Sequence, residues 1–193
     1  CMDETALNFN IEATVEDTSC VYSQDIILSG GWNSFSTYIA PEINDIIQVC
    51  ASLDNNNNNI LIIKNNDGDA YLPEWNFNGI GDIVIGQGYK MKLVESSILS
   101  INGSLILPEL NPIELIQGWN LIAYLRINPA SSVAILEEIV LAGNLIIAKD
   151  NQGNAYLPEF SFNGIGDFSA GNGYQLKVIS SQYLNYLSNQ KDY

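Results

Sequence analysis

The chain has 193 residues and a formal net charge of −15, from 22 acidic and 7 basic side chains, and it contains no histidine. Such a field repels phosphate backbones and anionic lipid, which argues against nucleic-acid and peripheral membrane binding. The absence of histidine removes the commonest general base and the commonest metal ligand, and no apolar run approaches the roughly 20 residues of a membrane-spanning helix.

Residues 1–22 are polar and bounded by Cys1 and Cys20, while Cys50 stands in an apolar pattern. The simplest arithmetic is a Cys1–Cys20 disulfide with Cys50 as a buried free thiol, which implies an oxidising, extracellular setting. A lipidated Cys1 is the rival reading and leaves Cys20 without an obvious partner. The abrupt start at Cys1 suggests a mature or excised piece of a longer precursor. Asp3, Asn8, Asn10 and Asp17 are hard oxygen donors on one short loop, so calcium is the cofactor to expect if any; alternatively they make turns by bonding nearby backbone.

Beyond this segment, Asp25–Leu28 and Trp32–Ile39 read as strands around Gly30-Gly31. Pro41 opens a predicted helix with Ile43, Ile46, Ile47, Cys50 and Leu53 on one face. The Asn55–Asn59 run reads as a surface loop. Ile60–Ile63 and Ala70–Leu72 form a hairpin about Asn66-Asp67-Gly68-Asp69, and Tyr89–Val94 closes the unit. Ser97–Ile101 and Ser104–Leu107 read as strands turning at Asn102-Gly103, with Pro108 and Pro112 near a boundary. The order then recurs: Ile113–Ile116 and Asn120–Leu125 as strands, a helix over about Ser131–Leu141 ended by Gly143, a hairpin of Leu145–Ala148 with Ala155–Leu157, and a closing strand over Gly173–Ile179. The tail from Gln182 is open between a docking helix and a frayed end.

The recurrence is also literal. Lys64–Leu93 and Lys149–Val178 align without a gap and agree at 18 of 30 positions, and each is preceded by a Gly-Trp-Asn, at Gly31 and at Gly118. Such a period marks tandem structural units. The prediction is an α+β, β-dominated fold: a disulfide-closed loop module (residues 1–22), two homologous β-rich repeats each with one short helix (23–107 and 108–180), and a tail (181–193).

Two resemblances accompany this pattern. Cys1, Asp3, Ala6, Asn8, Phe9, Asn10, Ala13, Thr14, Asp17, Ser19, Cys20 and Tyr22 fit the C-x-D-x-x-A-x-N-[YF]-[ND]-x-x-A-T-x-x-D-x-S-C-x-Y module of large bacterial and some viral surface proteins. The two units, about four-fifths of the chain, resemble the Gly-Trp-Asn…Lys-Asn…Gly-Tyr-x-x-Lys repeats of surface proteins exported by type IX secretion. Those resemblances imply a non-enzymatic extracellular part of a surface, adhesive or filament protein, with neighbouring domains or other copies as partners. They say little of activity, and the sorting domain that often ends such proteins is not in this sequence.

The repeat itself weighs the remaining candidates. Asp67 and Asp69 become Gln152 and Asn154 while the Gly is kept, so this is a turn rather than a calcium loop. Glu74 with Glu159, and Asp82 with Asp167, occur once per unit, which favours structure over a glycosidase pair. Lys64 with Lys149, and Lys92 with Lys177, are expected to neutralise those carboxylates. Trp32, Trp75, Trp119 and Tyr71, Tyr89, Tyr156, Tyr174 are expected mainly in the core; exposed, they would make a glycan platform, the alternative being a carbohydrate-binding module of a secreted hydrolase.

Overall fold

The computed structural model describes residues 1–15, 18–53 and 59–191. It is β-dominated, with short helices. Its largest elements are two five-stranded antiparallel sheets. One has the order Gly31–Phe35, Tyr89–Leu93, Ile60–Lys64, Ala70–Leu72, Phe77–Asn78; the other has the order Gly118–Ala123, Gly173–Val178, Leu145–Lys149, Ala155–Leu157, Phe162–Asn163. The central strands alternate as a half-covered sheet requires. Tyr89, Met91 and Leu93 are buried while Lys90 and Lys92 are not, and Tyr174, Leu176 and Val178 are buried between Gln175 and Lys177. Each sheet covers its own core. One is built on Phe35, Ile63, Tyr89, Met91 and Leu99, the other on Ile122, Leu136, Ala148, Phe168 and Tyr174.

A three-stranded sheet backs the first half, with Ser97–Leu105 between Tyr22–Leu28 and Ile39–Pro41. The turn expected at Asn102-Gly103 does not form, because Ser97–Leu105 is one unbroken strand. Gly103 sits between Tyr22 and Pro41, and a Cβ there would lie 2.1 Å from the Ala40 carbonyl oxygen. The glycine serves close approach in the middle of a sheet, a use that resembles a turn signal when only the sequence is seen. In the second half, Ile113–Leu115 pairs with Gln182–Leu184. The tail therefore contributes a strand rather than a docking helix, and Leu184 and Tyr186 join the second core.

The helices are shorter than their periodicity suggests. Pro41 ends a strand, and the first helix is only Ile46–Val49, followed by a 3-10 turn at Ala51–Leu53. Asp45 starts it, its carboxylate accepting from the N–H groups of Ile47 and Gln48. Ile46, Val49, Cys50 and Leu53 face inward, while Ile43 is exposed. The single helix expected over Ser131–Leu141 is two, Ser132–Ile135 and Glu137–Leu141, and Gly143 follows at φ +66°. Of the Asn run, residues 55–58 lie outside the described residues. Asn59 is buried, its side-chain oxygen accepting from Glu95 N–H and its carbonyl from Val94 N–H. Asn144 holds Ser180 and Ile179 in the same way.

The two halves meet across a seam whose contacts come in reciprocal pairs. Ser36 N–H donates to the Gly171 carbonyl at 3.0 Å, and Ala123 N–H donates to the Gly86 carbonyl at 2.9 Å. Phe35 bridges Asn172, and Gln87 bridges Ile122. Asn66 accepts from Leu121 N–H at 2.8 Å, while Asn151 accepts from the Ser34 hydroxyl at 3.2 Å. Where residue i of one half meets j of the other, the counterpart of j meets the counterpart of i, which is the signature of an isologous, two-fold contact. Lys90, whose ammonium donates to the Gln175 side chain at 3.1 Å, aligns with that same Gln175 in the gapless match of Lys64–Leu93 to Lys149–Val178. These two aligned positions meet each other across the seam. Gly88 and Gly173 are required at this seam, since a Cβ on Gly88 would lie 2.6 Å from the Ile122 carbonyl oxygen and one on Gly173 would lie 3.0 Å from that of Phe35.

Candidate functional site

The pleat sends alternate residues of each five-stranded sheet away from its core, and what stands there is matched between the halves. In the first sheet Trp32 is opposite Lys92, Lys92 is opposite Ile62, and Leu72 is opposite Phe77. The Ile63–Tyr71 and Lys64–Ala70 pairs carry the register on to Ile62 opposite Leu72. A row Trp32–Lys92–Ile62–Leu72–Phe77 thus crosses all five strands, a span of roughly 19 Å at about 4.8 Å per strand. The second sheet repeats it as Trp119–Lys177–Ile147–Leu157–Phe162.

The indoles are half in solvent, with Trp32 48% and Trp119 41% exposed. Each is flanked by two ammonium groups. Lys64 and Lys92 both stand 6.0 Å from the Trp32 ring centroid. Lys149 stands 5.4 Å and Lys177 5.8 Å from that of Trp119. These are cation–π distances, each contributing about 0.5–1 kcal/mol at such an open position. The expected partners of the lysines are thereby corrected: among the described residues none of the four is ion-paired with Glu74, Asp82, Glu159 or Asp167, and the cations lie over rings. The aromatic residues divide by type. Tyr71, Tyr89, Tyr156 and Tyr174 are core, but the tryptophans are not, and Trp75 at 73% and its counterpart Phe160 at 69% exposure stand clear at the far sheet edges. Each precedes a left-handed residue, Asn76 at φ 49° and Ser161 at φ 50°, that turns the chain back into the edge strand.

The N-terminal module is closed by the Cys1–Cys20 disulfide, and Cys50 is a buried free thiol. Its candidate ligands are engaged with the module itself. Asp3 accepts from the Thr5 N–H and hydroxyl and from the Tyr22 hydroxyl. These bonds hold its carboxyl below the usual range, the Thr5 hydroxyl contributing most. Asn8 donates to the Ser19 carbonyl and accepts from Val21 N–H, and Asn10 accepts from Glu12 N–H. Asp17 lies outside the described residues. Among the described residues no group of three or more Cys, Asp or Glu side chains gathers as a metal site. The three described side chains make turn and loop contacts within the module.

Other polar positions are structural. The turn at Gly68 is organised one step earlier than the motif suggests: Asn65 accepts from the Asp67 and Asp69 N–H groups, and Asp150 accepts from those of Gln152 and Asn154. At the Asn-Gly-Ile-Gly turns the cap is Asn78, accepting from Ile80 and Gly81 N–H, and Asn163 in the second half. Burial drives the Cys50 thiol well above its ordinary range. It also pushes Tyr89 and Tyr174 up to about 12, even though each phenol oxygen accepts a backbone N–H, from Val84 and from Ser169. A cleft of about 280 Å³ between the halves is lined by Asn66, Asp67, Gln87, Glu114 and Asn120 among others, with no cation in its wall.

Neither a protein family, nor a curated protein, nor a solved structure matches the chain.

Proposed function

We propose that the chain is a non-enzymatic, extracellular module of a surface or filament protein, built from two copies of one β-rich unit behind a disulfide-closed loop. The observation that carries this reading is the pair of matched exposed rows, Trp32 to Phe77 and Trp119 to Phe162. They are the parts of the outward faces that the seam leaves in solvent, and a doubled, exposed aromatic and basic face serves contact rather than turnover. The buried Cys50 and the tyrosines that accept backbone N–H groups have structural uses. The disulfide and the resemblance to surface-protein modules support an oxidising, extracellular setting, with neighbouring domains or other copies as partners. The isologous seam adds a constraint, because contacts of that kind close a pair instead of propagating an array. Any longer assembly would have to use the rows, the sheet edges or the N-terminal module. Calcium enters only as an ion that would have to take the oxygens of Asp3, Asn8 and Asn10 from their present donors.

A carbohydrate-binding module is the second reading, favoured by the half-exposed indoles. The test is attachment. Beads bearing the chain, washed under flow over surfaces coated with glycan or with matrix protein, are expected to adhere, and to lose adhesion when Trp32, Trp119, Trp75 and Phe160 are replaced together by serine. Adhesion to neither surface, together with turnover of a glycan substrate, would overturn the non-enzymatic reading.

A further inference from the structure

Five of the seven basic residues, Lys64, Lys90, Lys92, Lys149 and Lys177, are on the outward faces of the two sheets, in a chain of net charge −15. Of the other two, Arg126 is buried, and its guanidinium donates to the Ser188 and Lys191 carbonyls to hold the tail. The cations are therefore collected where the exposed indoles are. We propose that each half of the chain binds one segment of an acidic polysaccharide, a glycan carrying carboxylates along its length, laid across the Trp–Lys–Ile–Leu–Phe row. This rests on the carbohydrate-binding reading and names the ligand class.

The chemistry selects that class. A pyranose ring offers a flat C–H face that packs on an indole, whose ring face is negative and whose body is apolar. Ile62 with Leu72, and Ile147 with Leu157, continue the apolar strip between the aromatic ends. A neutral glycan on this strip would cover ammonium groups without pairing them, and desolvating an unpaired charge is costly; a carboxylate beside each lysine removes that cost. A peptide strand would seek a sheet edge for its backbone hydrogen bonds, and the rows are on faces. Nucleic acid needs many more phosphate contacts than the two or three lysines on each outward face supply. The net charge of −15 opposes any polyanion, so the lysines gathered on these faces have to outweigh it locally.

The seam makes the pair of rows bivalent. Lys90 and Gln175 touch across the seam, and Lys92 and Lys177 lie two residues, roughly 7 Å, further along their strands. Two sites in fixed relation on one polymer gain avidity. Affinity electrophoresis in gels containing polygalacturonate or alginate, against gels containing neutral mannan or dextran, tests this. The chain is expected to be retarded by the acidic polymers only. W32A or W119A alone is expected to weaken retardation by about a hundredfold, as loss of avidity requires, and the pair is expected to abolish it. K92Q/K177Q, a milder pair, is expected to weaken it comparably while leaving the circular dichroism spectrum unchanged and lowering the melting temperature by only a few degrees, roughly the cost of the lost cation–π contacts.

Equal retardation by neutral gels, or indifference to K92Q/K177Q, would overturn the acidic preference and leave the carbohydrate reading standing. No retardation in any gel, with beads still adhering to protein-coated surfaces through the rows, would overturn the glycan altogether while sparing the adhesive role. Equal retardation by polyglutamate would show a bare charge contact and overturn the glycan as well.

Discussion

The two halves differ most where charge is concerned and least where backbone meets backbone. Asp67 and Asp69 of the first half are Gln152 and Asn154 in the second, and the turn persists because Asn65 and Asp150 each accept the same two N–H groups. The helix starts at Asp45 in the first half and at Ser131 in the second, and only Asp45 makes a side-chain cap. Cys50 on the first core is matched by Leu136 on the second, both buried. Against this drift stand Gly88 with Gly173, Asn59 with Asn144, Tyr89 with Tyr174, and the whole outward row. The comparison teaches that three demands have held: the shape of the turns, the close approach at the seam, and the exposed face.

The largest effect should come from breaking the seam. Gly88→Ala places a Cβ 2.6 Å from a backbone carbonyl, and Gly173→Ala places one 3.0 Å away. Overpacking against backbone is relieved only by moving strands, so the expected loss is about 3 kcal/mol for the first and about 1 kcal/mol for the second, read by denaturant unfolding. Equal losses would mean that the halves tolerate separation alike and that the seam is looser than its contacts imply.

Raising the pH sharpens the comparison next. Tyr89 and Tyr174 both have folded values of about 12 against an ordinary 10.0. The folded state keeps a proton that the unfolded state gives up, so the stability these groups contribute is complete below pH 10 and is lost as pH rises towards 12. Alkaline titration followed by tyrosinate absorbance should show this pair ionising together, last, and with unfolding. One tyrosine titrating alone would separate the halves.

The helix starts should differ by about 1 kcal/mol. Asp45→Ala removes a working cap, whereas Ser131→Ala removes a side chain that caps nothing, and the expected losses are about 1 kcal/mol and near zero. Equilibrium unfolding of the two variants checks the difference, and a matching loss in Ser131→Ala would mean that the second cap forms in solution.

The smallest effect concerns calcium. Asp3, Asn8 and Asn10 already hold backbone, so chelator should leave the rate of proteolysis between Cys1 and Cys20 essentially unchanged. Faster cleavage with chelator, or heat of binding at millimolar calcium, would restore the ion to the loop.

Much of this fold is legible in the residues taken one stretch at a time. Alternation along Tyr89–Leu93 and Gly173–Val178 marks half-covered strands, Gly68 and Gly153 mark turns, and the polar run between Cys1 and Cys20 marks a module that needs a covalent tie. These are local properties, because pleat, turn and disulfide each follow from a few neighbouring positions. The sequence also holds the match of Lys64–Leu93 to Lys149–Val178, and with it the list of residues common to both halves. It could not say why they matter. Gly103 looks like a turn glycine until a carbonyl from elsewhere in the chain is placed against it. Trp32 and Trp119 look like core until the register puts them on the outward face with two lysines each. Gln182–Leu184 became a strand because Ile113–Leu115 offered it an edge. In each case the deciding partner is far along the chain, and only the tertiary structure brings it within bonding distance.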